Sequence, residues 1–129
     1  IKESVQELEA KGHEVELTGI FYHLGENDMS FHPYRKQAAE RLQAIIAQSR
    51  KDLERPALKW YVSQQPPTDD KSVNNIDVVA NIAMAAAADP TLIHLKAFNL
   101  PSQEKKLVIS TAGIVELGEF IAKSYLGHQ

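Results

Sequence analysis

The sequence predicts an α/β protein, a three-layer α/β/α sandwich with a parallel sheet, and three observations carry that prediction. Helical and strand periodicities alternate along the chain in the order α-β-α-β-α-β-α. The helical stretches between strands are long enough to cross over from one parallel strand to the next, and such alternation places helices on the faces of a parallel sheet. The 129 residues are 43% hydrophobic and 24% charged, enough apolar side chain for one core of ordinary domain size.

The first helix is read from Ile1, Val5 and Leu8, which share one face, with Gly12 placed where a left-handed C-terminal cap belongs. A strand is expected from Val15, Leu17, Gly19 and Phe21 alternating with polar residues, then Ile20 and Tyr22. The polar stretch from His23 to Ser30 is expected to be a loop. Pro33 suits the first turn of a second helix that runs to about Leu53, with Ala38, Leu42, Ile45, Ile46 and Ser49 as its inward stripe.

Arg55-Pro56 ends that helix. Leu58, Trp60, Tyr61 and Val62 form a second strand, which opens into a polar, proline-containing loop from Ser63 to Asp70. Ile76 to Ala88 is helical, with Asn74 or Asn75 as its N-cap and Asp89-Pro90 as its stop. Leu92 to Ala97 is a third strand, followed by a loop from Asn99 to Lys106. The last helix runs from about Ser110 to Leu126, with Ile114, Leu117, Ile121 and Tyr125 on one face. In parallel sheets ligands sit at the carboxyl ends of the strands, so loops 23–31, 63–72 and 98–108 are where chemistry is sought.

Composition excludes several functions. With 14 Lys and Arg against 17 Asp and Glu, the net charge is −3, which opposes generic binding to nucleic acid or anionic membrane, since both need clustered positive charge. Cysteine is absent, so there are no disulfides, thiolate metal sites or cysteine nucleophiles. The apolar run from Ile82 to Ala88 is too short to span a bilayer. Three strands make a thin sheet, and the chain starts inside a helical pattern without methionine. Further strands of the same sheet are therefore expected before Ile1, and an isolated three-strand sheet with an open apolar edge is expected to pair as a homo-oligomer.

The first loop is the densest in groups that titrate or hydrogen-bond, and its Gly25-Glu26-Asn27-Asp28 has the form G-x-N-D. This resembles the third conserved block of the SGNH hydrolases, the GDSL-type esterases. The longer stretch from Gly19 to Asp28 resembles the G-x-x-W-x-Q-G-E-x-D segment of the sialate O-acetylesterase and acetylxylan esterase branch. That branch continues with Y…R-x-D-L, matched by Tyr34 and Arg50-Lys51-Asp52-Leu53, and with a strand ending in glutamine, matched by Leu58 to Gln64. Its closing S-x-x-G-x-x-x-L-G-x-x-x-A helix is similar to Ser110 to Ala122. The resemblance runs in order through nearly the whole chain, and it implies an SGNH hydrolase-like, flavodoxin-like fold.

It also implies carbohydrate O-acetyl ester hydrolysis, with an acetylated carbohydrate as partner and no cofactor. By resemblance the backbone N–H of Gly25 and the side-chain amide of Asn27 stabilise the oxyanion, the task that preorganised donors perform in acyl transfer. His23, Glu26, Asp28 and Gln64 line the substrate site. The bland alternative is that Gly25 to Asp28 form only a turn, for which Gly, Asn and Asp are the usual residues. A secreted or periplasmic parent protein would suit a glycan substrate, although the sequence leaves the compartment open.

Two departures stand against activity in this chain alone. No G-D-S or G-Q-S-N nucleophile segment is present, and the D-x-x-H that precedes the family's last helix is replaced by Lys105 and Val108. Without that histidine no group in the usual place takes the serine proton. His94, inside the third strand, reads as a core or edge residue rather than a base. His13 stands at the wrong end of the sheet, His32 beside a helix start and His128 at the terminus. His23, Glu26 and Asp28 match no zinc spacing, so no metal is expected. A non-catalytic carbohydrate-binding or structural domain derived from such an esterase is the competing reading. A flavodoxin-like binding domain is a third, but no phosphate-cradling glycine loop is visible.

Overall fold

A computed structural model of the protein describes residues 1–24, 32–64, 76–96 and 110–127. Its elements are α1 (Lys2–Ala10), β1 (Gly19–Leu24), α2 (His32–Asp52), β2 (Lys59–Gln64), α3 (Ile76–Ala88), β3 (Leu92–Leu95) and α4 (Thr111–Leu126). The strands form one parallel sheet in the order β1-β2-β3. Gly19 to Leu24 run opposite Lys59 to Gln64, and Trp60 to Ser63 opposite Leu92 to Leu95.

Strand alternation divides the side chains between two helical layers. Ile20, Tyr22, Leu24, Trp60, Val62 and Leu92 pack with Ala38, Ala39, Leu42 and Ile46 of α2 and Val78, Ile82 and Ala85 of α3. Both crossover helices lie on this face because each connection steps one strand in the same direction with the same hand. On the other face Phe21 stacks on Tyr61 at 4.9 Å, and Tyr125 of α4 meets both rings edge-on at 5.9 and 5.8 Å. Trp60 and Tyr61 are therefore both buried, on opposite faces of the central strand.

Gly12 takes the expected left-handed conformation, φ 84°. The amides of Gly12 and His13 bond the carbonyls of Glu9 and Leu8, a Schellman ending that gives carbonyls of the last turn their partners. Ser110 caps α4 by accepting from the Gly113 amide at 3.1 Å.

Several expected boundaries shift. Residues 13–18 lie outside the sheet, because β2 begins at Lys59 and offers them no ladder. His23, Leu24, Ser63 and Gln64 belong to strands rather than loops. Their polarity suggested solvent, but the polar side chains among them bond across the sheet instead. Ile45 and Ile114 are 48% and 59% exposed, not inward-facing. The buried line of α2 runs through Ala38, Ala39, Leu42 and Ile46, and that of α4 through Gly113 and Leu117. Ile45 and Ile114 each stand one residue, about 100°, off those lines. The expected caps Asn74 and Asn75 and the loop from Asn99 to Lys106 lie outside the described residues.

Arg50 locks the amino-terminal end of the sheet. From α2 its guanidinium donates to the Leu58 carbonyl at 3.1 Å, to Asp89 Oδ2 at 2.6 Å and to the Thr91 hydroxyl. One side chain thus ties the helix to the starts of β2 and β3. Burial alone would raise the Asp89 pKa, but hydrogen bonds from Thr91 and Arg50 and the charge of Arg50 outweigh it and hold the carboxyl below its usual range. Asp52, by contrast, is exposed and accepts from Gln48 at 2.7 Å.

Arg50→Ala is expected to cost about 2–3 kcal/mol, the loss of charge-assisted hydrogen bonds that leaves Leu58 O and Asp89 short of partners, read as a fall in denaturant midpoint. A depressed folded pKa stabilises above the unfolded value, 3.8, and that contribution disappears as pH falls through the folded pKa. The acid-induced loss of thermal stability is accordingly expected to be shallower in Asp89→Asn than in the parent chain. At Gly19 an added Cβ would stand 3.0 Å from Tyr61 Cε2 and 3.2 Å from the Lys59 carbonyl. Gly19→Ala should therefore destabilise by about 1–3 kcal/mol in the same measurement.

Candidate functional site

The carboxyl ends of the strands carry the chemistry among the described residues. The fully buried polar side chains of the described chain, Ser63 at 1% and Gln64 at 0% exposure, stand side by side at the end of β2. Burying polar groups is costly unless they are hydrogen-bonded, and each here is bonded to a histidine from a neighbouring strand. His23 Nδ1 of β1 lies 2.7 Å from Ser63 Oγ. His94 Nε2 of β3 lies 2.7 Å from Gln64 Oε1. Because 63 and 64 alternate, the first pair faces the α4 side and the second the α2–α3 side.

The His23–Ser63 pair resembles a nucleophile with its base in distance alone. Ser63 is 1% exposed, so an ester carbonyl has no approach to its oxygen, and the contact serves the sheet. His94 is half-buried. Burial, and then the nearby charge of Lys96, push its pKa below the ordinary value, so at neutral pH the ring is uncharged. With the amide oxygen of Gln64 as acceptor, the ring proton sits on Nε2.

Of the residues expected to form the site, His23 and Gln64 stand at the ends of adjacent strands on opposite faces of the sheet. Gly25, Glu26, Asn27 and Asp28, and the substituted positions Lys105 and Val108, lie outside the described residues. Sequence reasoning placed Ser63 in a loop and left His94 without a role. The available signal was the pair Ser63-Gln64 closing an otherwise apolar strand, with a histidine in the next one. Among the described residues no group of three His, Asp or Glu side chains is placed to hold a metal ion, and no helix is long and apolar enough to cross a membrane.

A cavity of about 830 Å³ opens at the opposite end of the sheet, between residues 15–18, 54–59 and Tyr125. A smaller one of about 270 Å³ lies beside it under α1. Neither contains the buried histidine pairs, so size and chemistry point to different ends, and the chemistry favours the carboxyl end.

The parallel order β1-β2-β3 with its crossover helices defines an α/β protein whose sheet carries buried polar pairs at its carboxyl edge. Residues 1–127 match the family described as carbohydrate esterase, sialic acid-specific acetylesterase, and the chain belongs to that family. No curated protein matches it. A protein of Arabidopsis thaliana solved by X-ray diffraction shares the fold with a TM-score of 0.70 at 21% identity, over 98% of this chain and 50% of that one. The chain thus spans half the length of that structure.

A titration of the His94 ring signals by NMR is expected to give a pKa below 6.5, the value of an unperturbed histidine. A histidine whose folded pKa is depressed stabilises above the unfolded value and loses that contribution as pH falls from 6.5 to the folded pKa. His94→Gln should flatten that part of the stability profile.

Proposed function

We propose that the protein carrying this chain hydrolyses O-acetyl esters of carbohydrates, and that this chain supplies the oxyanion and substrate side of the site. The observation that carries the reading is membership of the carbohydrate esterase family over residues 1–127. The chain is one α/β unit, the C-terminal part of a longer esterase domain, and the nucleophilic serine comes from outside it. The chain covers half of the solved structure that shares its fold.

In this scheme the serine oxygen attacks the acetyl carbonyl, whose oxygen becomes an oxyanion held by the Gly25 N–H and the Asn27 amide. A base supplied from outside this chain takes the serine proton and passes it to the sugar oxygen as the ester C–O bond breaks, leaving an acetyl-enzyme that water hydrolyses to acetate and free serine. His23, Glu26, Asp28 and Gln64 bind the sugar. The partner is an acetylated carbohydrate.

One observation favours a second reading, a carbohydrate-binding domain that has lost catalysis. By the resemblance, Lys105 and Val108 stand where the family has its orienting aspartate and its histidine, and they do not supply that pair's transfer of the serine proton. An acetyl ester assay on the longer protein separates the two. Asn27→Ala is expected to lower kcat by roughly 10²-fold or more, the effect of removing an oxyanion donor. A folded protein without activity on p-nitrophenyl acetate or acetylated sugars would leave the binding reading.

A further inference from the structure

No further inference is drawn: the strongest candidate, the sheet edge at β1 with its half-exposed Phe21 and the exposed Ile114 and Val115 of α4, carries nothing because nothing in the structure shows what covers it.

Discussion

The constraint on which the structure depends is the burial of β2 on both faces. From Trp60 to Gln64 every side chain of this strand is buried, so the partners of its polar groups come from inside the protein, although the Trp60 indole N–H and the Gln64 amide nitrogen have none among the described residues. At its amino end the Leu58 carbonyl is held by Arg50 and the Trp60 amide by the Thr91 carbonyl. At its carboxyl end Ser63 and Gln64 are met by histidines from the two flanking strands. Neighbouring elements are thereby tied to β2 by polar groups as well as by packing.

The two ends of the strand are fastened by different chemistry. The charged clamp of Arg50, Asp89 and Thr91 gains from three directed hydrogen bonds and leaves a carboxylate that stabilises only while ionised. At the other end His94 is neutral, because burial and then the charge of Lys96 lower its pKa. This division gives the family motifs separate tasks. The arginine of R-x-D-L fastens the fold, while its aspartate at 52 is an exposed helix residue. The leading glycine of the loop segment, Gly19, makes room for the Tyr61 ring and stands far from the strand ends.

The cavities and the buried polar pairs lie at opposite ends of the sheet. The larger of the two cavities is at the amino-terminal end, where the lining is a turn and the start of a strand. Ser63 and Gln64, with the histidines bonded to them, are at the other end.

By itself the sequence determined the element order, the parallel sheet, the left-handed Gly12 and the family, because these rest on local periodicity, backbone conformation and motif order. It singled out His23 and Gln64, which the structure places at the ends of adjacent strands rather than in the loops expected. What only the tertiary structure decided was which face each side chain takes and which polar groups meet. His23 with Ser63 and His94 with Gln64 are 40 and 30 residues apart, and no local pattern encodes such pairs. Ile45 and Ile114 fitted an apolar stripe by spacing, yet the packing direction of each helix left them exposed. Periodicity names a face only to within one residue, about 100° on a helix. The sheet register decides which residue points inward, and it likewise turned an expected polar loop into the buried end of a strand.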